Sequence, residues 1–341
     1  MVASVGTEIP MDLFELTKGL VNMASVTGHE KGCAEYIKGY LGQQGFQAEL
    51  MPVSRDRSNV FASWGKPDIV LSTHMDTVPP FFPAHEDAEH IYGRGSCDAK
   101  GILAAQISAA ERLKQDGVED FALLFLVGEE TVSDGAREAN LHPRGSQFII
   151  NGEPTENKLV IATKGNLRVD LRARGKMAHS AYPHLGINAI DKLLDVLVDL
   201  RKIPLPVSQV LGPSTLNIGV ITGGRAANVV PDEATAQVLL RIVENGAPLR
   251  QRIIEVVNGR CEIDIVRETP LLMMEKLEGY ETDVVAFTTD LPSLTNWGRP
   301  LLLGPGSITM AHTDRECVRK ADLVEAANLY YRMVRDLKNR A

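Results

Sequence analysis

Histidines and carboxylates that could bind metal ions follow several apolar runs of this sequence. Each run has the length and composition of a short buried strand. The groups that follow them are His74-Met75-Asp76, Glu129-Glu130, Glu153 and, after Leu301–Leu303, His312. In an open α/β sheet, ligands bind outside the carboxyl ends of the strands. We therefore expect these side chains to converge at one edge of a sheet.

A glycine-rich segment supplies a further carboxylate, Asp98. The segment Gly93–Gly101 precedes an Ala-rich stretch, Gly101–Leu113, whose pattern predicts a helix. The glycines permit tight turns, and Asp98 would project near the start of the helix. The segment contains neither GxxxxGK[ST] nor GxGxxG, which disfavours phosphate binding.

Two histidines and three carboxylates form a donor set that a pair of Zn²⁺ ions would accept. Of the adjacent residues Glu129 and Glu130, one can bind metal while the other faces the attacking water as general base. Asp76 could accept the imidazole N–H of His74 and fix its tautomer. Each group alone has a simpler explanation, such as a half-buried histidine or a solvated turn. Their joint placement at strand ends favours the metal site.

The composition excludes several other classes of protein. The chain has 341 residues with 36 Lys or Arg against 44 Asp or Glu, a formal net charge of -8, which disfavours a nucleic-acid partner. Its four scattered cysteines lack CxxC spacing and are typical of reduced thiols in a cytoplasmic protein. Met1–Pro10 lacks the features of a signal peptide, and Phe121–Val127 is too short to span a bilayer.

The elements that must position the candidate ligands follow an α/β pattern at both ends of the chain. Residues 11–45 predict two helices with a turn between them, and Leu323–Leu337 predicts a C-terminal helix. Continuous apolar strands predict a mostly parallel, buried sheet flanked by helices. The strands are Val60–Trp64, Ile69–Ser72, Phe121–Val127, Phe148–Ile150 and Leu301–Leu303. Residues 1–162 and 276–341 are thus expected to form one discontinuous catalytic domain.

The middle of the chain, residues 163–275, predicts an inserted domain. Its elements follow the order β-α-β-β-α-β, a ferredoxin-like arrangement. They are Leu167–Ala173, Ile187–Leu200, Thr215–Ile221, Ala234–Val243, Pro248–Val257 and Cys261–Val266.

Together the motifs resemble the M20 metallopeptidase and deacylase family, over about residues 12 to 335. That family includes acetylornithine deacetylase, succinyl-diaminopimelate desuccinylase, glutamate-releasing carboxypeptidases and aminoacylases. The resemblance rests on Ser72–Pro79, Tyr92–Gly101, Gly128–Glu130, Asn151–Pro154, Gly304–Gly306 and Ala311–Thr313.

The resemblance implies a di-zinc exopeptidase-like catalytic domain and gives each candidate ligand a role. His74 and Glu153 would bind one metal ion, Glu130 and His312 would bind the other, and Asp98 would bridge them. Glu129 would be the general acid/base. Zn²⁺ is the expected metal, and Co²⁺ or Mn²⁺ would also suit these ligands. The Asp98–Ala99 peptide matches a position that is often cis in the family.

The inserted domain resembles the family's lid and dimerisation domain, through Gly175–Pro183. The resemblance implies a homodimer in which His179 reaches the partner's active site and stabilises the developing oxyanion. It also implies that Asn228 and Arg241 hold a substrate carboxylate and that Thr288 adds a hydroxyl contact. From the residues alone, His179 would be a loop histidine, Asn228 a turn residue and Arg241 a solvated strand charge.

The implied reaction is hydrolysis of the amide bond of a small N-acyl amino acid. N-Acetylornithine is the first choice, which would place the enzyme in arginine biosynthesis. Alternatives within the family are a di- or tripeptidase and a succinyl-diaminopimelate-type desuccinylase. A catalytically inactive dimer that binds an amino-acid derivative is the alternative from another class. It is disfavoured because no ligand or base is missing.

Overall fold

The fold is described here from a computed structural model of residues 12–340. Residues 1–11 and 341 lie outside the described residues. The expectation that Met1–Pro10 is not a signal peptide concerns residues in this part of the chain. The helices of the described residues are α1 (Leu13–Val21), α2 (Lys31–Gln43), α3 (Lys100–Gln115), α4 (Asp134–Leu141), α5 (Ala189–Leu200), α6 (Gly246–Val257) and α7 (Lys320–Lys338). The strands are β1 (Gln47–Ser54), β2 (Arg57–Trp64), β3 (Ile69–His74), β4 (His85–Glu86), β5 (His90–Tyr92), β6 (Phe121–Leu126), β7 (Phe148–Asn151), β8 (Leu159–Thr163), β9 (Gly165–Arg174), β10 (Val207–Ser208), β11 (Gly212–Pro213), β12 (Thr215–Gly223), β13 (Glu233–Ile242), β14 (Glu262–Thr269), β15 (Leu272–Met273), β16 (Thr282–Val285), β17 (Arg299–Leu302) and β18 (Cys317–Arg319).

The chain divides into two compact units. The first runs to Ile161, resumes over Met274–Asp283 and continues from Thr289. The second comprises Ala162–Met273 and Val284–Thr288. The sequence predicts that residues 276–341 all belong to the catalytic domain, whereas Val284–Thr288 lies in the second unit. Val284–Thr288 joins the second unit through hydrogen bonds from Lys164 N to Val285 O (3.1 Å) and from Asn166 Nδ2 to Thr288 Oγ1 (3.5 Å).

The main sheet has parallel strands at its centre. Its hydrogen-bonded neighbours follow the order β1-β2-β6-β3-β7-β17-β8. Pairing is parallel from β6 to β17 and antiparallel on either side. Every residue of β3, β6 and β7 is buried, as expected for parallel strands covered on both faces. The α/β prediction is confirmed, with a mixed sheet whose parallel part is central.

Helices α3 and α7 cover this centre. The alanines of α3 allow close packing, and Ala104, Ala105 and Ala109 are fully buried. Tyr330 of α7 is also fully buried, and its hydroxyl donates to the carbonyl of Leu303 (2.6 Å) just after β17. The C-terminal helix therefore fixes the strand end that leads to the glycine-rich turn at Gly304–Gly306.

The second unit has an antiparallel sheet in the order β12-β13-β9-β14. Alternate residues of β9 and β13 are buried against α5 and α6, which form one core with them. Asn188 begins α5 by accepting hydrogen bonds from the backbone N–H groups of Ile190 (2.9 Å) and Asp191 (3.2 Å). The predicted β-α-β-β-α-β order is confirmed.

Strand β1 and helix α4 are among the elements of the first unit that the sequence does not predict. Strand β1 contains Glu49 and Pro52, which make the segment resemble a polar loop. Strand β1 lies at the edge of the sheet and, among residues 12–340, pairs with β2 alone. A proline is tolerated in an edge strand. Helix α4 is short and polar, with a glycine in its first turn.

The four cysteines, which lie within the described residues, form no disulfide. No helix between residues 12 and 340 is long and apolar enough to cross a membrane.

Candidate metal centre and active site

The ends of four neighbouring strands bring the candidate ligands of the first unit to one edge of the sheet. In β3 and β6, His74 lies beside Leu126, and Ser72 of β3 lies beside Asn151 of β7. Asn151 in turn lies beside Leu302 of β17. Because all four strands are parallel, the segments carrying Glu129, Glu153 and His312 leave the sheet on the side where His74 lies. This placement is the one expected from the sequence.

Asp98 lies between the two histidines. Its Oδ1 is 3.0 Å from His74 Nε2, and its Oδ2 is 3.4 Å from His312 Nε2. Each oxygen thus faces a different imidazole, as expected for a carboxylate that bridges two cations. Burial raises the pKa of the Asp98 carboxyl, but hydrogen bonds with His312 and His74 outweigh that effect and lower it. The Asp98–Ala99 peptide is cis, in agreement with the family resemblance.

His312 contacts Glu130 as well as Asp98. Its Nε2 lies 2.9 Å from Glu130 Oε2, and hydrogen bonds with Asp98 and Glu130 raise the His312 pKa to about 10. The His312 backbone has a φ of 63°, in the left-handed region that few non-glycine residues adopt. Such conformations are concentrated at functional sites, where the surrounding structure holds them in place.

His74 is almost fully buried and has a partner for each ring nitrogen. Nε2 faces Asp98, and Nδ1 is 3.0 Å from the backbone oxygen of Asp76. The Asp76 carboxylate is farther from Nδ1, at 3.5 Å. Burial opposes a charge on the ring, but contacts with Asp76 and Asp98 dominate and raise the His74 pKa. The backbone carbonyl is therefore the closer partner for the imidazole, where the sequence pointed to the carboxylate.

The Asp76 carboxylate supports the Glu129-Glu130 segment as well. It accepts hydrogen bonds from the backbone N–H of Glu129 (3.2 Å) and of Glu130 (3.3 Å), and from the Thr27 hydroxyl (2.8 Å). Asp76 consequently connects the end of β3 to the loop after β6. One carboxylate helps to orient a candidate ligand and the candidate base.

The chemistry of the buried carboxylates fits metal binding. One possible ligand atom from each of His74, Asp98 and Glu130 lies within 4.8 Å of the others. Glu153 is buried, and its Oε1 has no hydrogen-bond partner among residues 12–340. Burial and the charge of Glu129 raise the pKa of Glu153. Nitrogen and oxygen donors with surplus negative charge suit divalent cations of the Zn²⁺ type.

Glu129 is a carboxyl with an environment suited to proton transfer. Burial raises its pKa most, nearby Asp290, Glu130 and Asp98 raise it further, and His74 acts in the opposite direction. A carboxyl whose pKa is raised in this way holds a proton more strongly and can deliver it to a leaving group.

Asp290 is a buried acid of this site that the sequence did not single out. It is 1% exposed, and burial raises its pKa to about 7, against the effect of His74. In the segment Thr288-Thr289-Asp290, the family resemblance points only to Thr288. The pattern of residues around Asp290 gives no signal of its burial in the site.

His179 and Asn228 lie in neighbouring segments of the second unit. His179 forms a bridge with Val229, and the Asn228 carbonyl accepts a hydrogen bond from Ser180 N (3.0 Å). The His179 Nδ1 accepts a hydrogen bond from the backbone N–H of Ala181 (3.1 Å). The neutral imidazole therefore carries its proton on Nε2, which leaves an exposed N–H donor.

Arg241 is a half-buried cation without a counter-ion in the part of the chain that the structure describes. It lies opposite Asn166 on β9 and Thr215 on β12, and burial lowers its pKa. No carboxylate of residues 12–340 forms an ion pair with it. Asn166, which has a buried Oδ1 without a partner in the described chain, donates to Thr288. Arg241, Asn166 and Thr288 thus form a polar group that lacks an anion.

Known proteins are similar to this chain over most of its length. Residues 161–262 match the family model of the peptidase dimerisation domain. A peptidase M20 domain-containing protein of Schizosaccharomyces pombe is 41% identical over 336 residues, covering 95% of this chain and 84% of its own. A probable carboxypeptidase of Aspergillus clavatus is 36% identical over 369 residues, with 94% and 82% covered. A tripeptidase structure from Staphylococcus aureus has a TM-score of 0.80 at 20% identity, with 94% of this chain and 96% of that one aligned.

Proposed function

Because the chain belongs to the M20 peptidase family of amide-bond hydrolases, we propose that it cleaves short peptides ending in a free carboxylate. The observation that carries the proposal is the half-buried guanidinium of Arg241, which has no counter-ion among residues 12–340. Partial burial of a cation costs free energy that an anionic ligand would offset. An Arg fork binds a carboxylate through two parallel hydrogen bonds. The names of the relatives favour a carboxypeptidase-type reaction.

The residues of the first unit would hold two metal ions and move one proton. His74 and Glu153 are proposed for one ion, Glu130 and His312 for the other, and Asp98 for both. Two divalent ions, Zn²⁺ by preference or Co²⁺ or Mn²⁺, would activate a water molecule and polarise the acyl oxygen. Glu129 would take a proton from the attacking water and deliver it to the leaving amine.

His179 is proposed as the donor to the oxygen that becomes negative during attack. Its neutral ring carries the proton on the exposed Nε2 side, because Nδ1 accepts a hydrogen bond from Ala181. A fixed N–H donor stabilises such an oxyanion more than it stabilises the neutral carbonyl. We propose that the donor acts on the partner's site of a homodimer formed through the second unit.

Substrate assays with matched pairs test the carboxylate requirement. We expect dipeptides and tripeptides to be hydrolysed at least tenfold faster than the same peptides with a C-terminal amide. Arg241→Met should raise KM for the free acids and leave the amides unaffected, because it removes the carboxylate contact. Arg172→Met on the neighbouring strand is the control, since Arg172 is exposed and already lies 3.7 Å from Glu233. Equal rates for acids and amides would contradict the proposal.

N-Acetylornithine, the first choice from the sequence, also carries a free carboxylate and remains a prediction. The same assay should include N-acetylornithine, N-acetylcitrulline and succinyl-diaminopimelate. Release of acetate from N-acetylornithine faster than cleavage of any peptide would make deacetylation the main activity. The alternative function is that of a catalytically inactive protein that binds an amino-acid derivative. Purified protein that binds no zinc, cobalt or manganese after reconstitution would support this alternative.

A further inference from the structure

Glu316 makes an unusual set of contacts beside the candidate metal centre. Its Oε1 accepts hydrogen bonds from three backbone N–H groups, those of Gly95 (3.0 Å), Cys97 (3.1 Å) and Asp98 (3.0 Å). Its Oε2 accepts a hydrogen bond from Arg94 Nη1 (2.6 Å). A single carboxylate thus binds four donors from one five-residue segment.

The pair of Glu316 and Arg94 is buried inside the first unit. The two side chains are 1% and 2% exposed. Arg94 also donates from Nε to the Pro80 carbonyl (3.2 Å) and lies over the Phe82 ring. Desolvating two charges costs about as much free energy as their attraction returns, so a buried pair is a weak source of stability. The buried pair of Glu316 and Arg94 is therefore expected to have a role other than stabilising the fold.

The carboxylate holds two different parts of the metal centre together. Asp98, whose backbone N–H it binds, faces both histidines with its own oxygens. Glu316 itself follows His312 by four residues, and its backbone oxygen accepts a hydrogen bond from Gly93 N (3.1 Å). The contacts between Glu316 and the Asp98 segment thus fix the distance between a bridging carboxylate and a histidine that lie far apart in the sequence.

We infer that Glu316 is a positioning residue, which with Arg94 holds Asp98 and the His312 segment in register for binding two metal ions. The inference rests on the proposed metal centre. Asp98 has a short side chain, so its carboxylate can face both histidines only if its backbone is held rigidly. The negative charge of Glu316 is essential because four donors converge on it.

Metal titration of purified Glu316→Gln tests this role without relying on activity. Glutamine retains one acceptor oxygen but turns an amide towards Arg94, so the segment loses its anion. Neighbours that orient metal ligands typically contribute 10- to 100-fold to metal affinity, and we expect a loss of at least tenfold. The visible spectrum of the Co²⁺-substituted protein should change as well, because it reports ligand geometry. Competition with a chromophoric chelator measures the affinity.

Glu111→Gln is the matched control, because Glu111 is a buried carboxylate of the same unit that accepts a hydrogen bond from the Tyr40 hydroxyl (2.7 Å). This variant should keep wild-type metal affinity and spectrum. If Glu316→Gln does not fold, Arg94→Lys is measured instead. It should weaken metal affinity, because the single lysine nitrogen replaces two guanidinium nitrogens that bond separately to Glu316 and to the Pro80 carbonyl. Unchanged affinity and an unchanged Co²⁺ spectrum in the folded variant would overturn the inference. Wild-type protein that binds no metal would instead contradict the proposed metal centre.

Discussion

At the scale of single residues, the first unit concentrates carboxylates whose negative charge bound cations would offset. Asp98, Glu130 and Glu153 are buried or nearly so, and Oε1 of Glu153 lacks a partner among residues 12–340. The raised pKa of His312 has the same origin, since its neighbours are carboxylates. The adjacent residues Glu129 and Glu130 are proposed for different tasks in this charged site. Glu129 would transfer the proton, and Glu130 would bind a metal ion.

Glu129→Gln should separate these two tasks. We expect kcat to fall by about 10²- to 10⁴-fold, the usual contribution of a general base, because an amide cannot accept the proton. Metal content should stay at the wild-type value if Glu130 and not Glu129 binds the ion. Glu138→Gln on α4, which removes a half-buried carboxylate paired with His142 (3.1 Å), is the control for both measurements. A variant with full turnover would exclude Glu129 as the base.

Asp290 should make stability depend on pH in the metal-free protein. Its pKa is raised from 3.8 to about 7, so between these values the folded state holds a proton that the unfolded state has lost. Stability must then fall as pH rises towards 7, by up to about 1.4 kcal/mol per pH unit. Asp290→Asn removes this loss, so the variant should gain stability relative to wild type from pH 5 to 7 and keep a constant difference above pH 8.

Urea unfolding of the EDTA-treated proteins at pH 5, 6, 7 and 8 measures the difference. Asp264→Asn, at an exposed position of β14, controls for a general effect of removing one acid. A difference between Asp290→Asn and wild type that does not vary with pH would show that Asp290 keeps its ordinary pKa in the fold.

At the scale of elements, the start of α3 depends on a glycine. A Cβ on Gly101 would lie 2.3 Å from the Ser96 carbonyl oxygen and 3.2 Å from Leu323. Ser96 belongs to the segment that carries Asp98, so the close approach of helix and loop forms part of the site.

Gly101→Ala should therefore lower the free energy of unfolding by about 1 to 3 kcal/mol and weaken metal binding, because the Asp98 segment must move. Gly32→Ala is a closely matched control, since Gly32 is likewise the second residue of its helix and has nothing within 4 Å of a Cβ. That substitution should stabilise the protein by about 0.5 to 1 kcal/mol. Thermal unfolding and chelator competition measure both effects, and equal behaviour of the two variants would refute the steric argument.

The elements that the sequence predicted are those whose own residues determine them. Strands β3, β6 and β7 are continuous apolar runs, and the ligands follow their ends directly. Strand β1 and helix α4 are polar and depend on their neighbours for stability. The contacts of Glu316 and the burial of Asp290 also escaped prediction, because both arise from residues that are distant in sequence and meet only in the folded chain.

At the scale of the whole molecule, the candidate active-site residues are divided between two units. The proposed ligands and base belong to the first, whereas His179, Asn228, Arg241 and Thr288 belong to the second. The peptidase dimerisation match covers most of the second unit. The proposed action of His179 on the partner's site is therefore tested on the assembled protein.

Mixing two inactive variants provides this test. If His179 acts on the partner, heterodimers of Glu129→Gln and His179→Ala chains contain one intact site each. Random pairing should then restore about a quarter of wild-type activity, since half of the dimers are mixed and half of their sites are complete. Co-expression with two different affinity tags isolates the heterodimer, and light scattering confirms its mass. Heterodimers as inactive as either parent would show that His179 acts within its own chain.

The interrupted course of the first unit has a consequence for biosynthesis. In the sheet, β17 lies between β7 and β8, yet the chain supplies it more than a hundred residues later. While the ribosome makes the intervening residues, the nascent sheet has a gap where Arg299–Leu302 will enter. Because His312 follows that strand, the proposed metal centre would be complete only after nearly the whole chain has been translated.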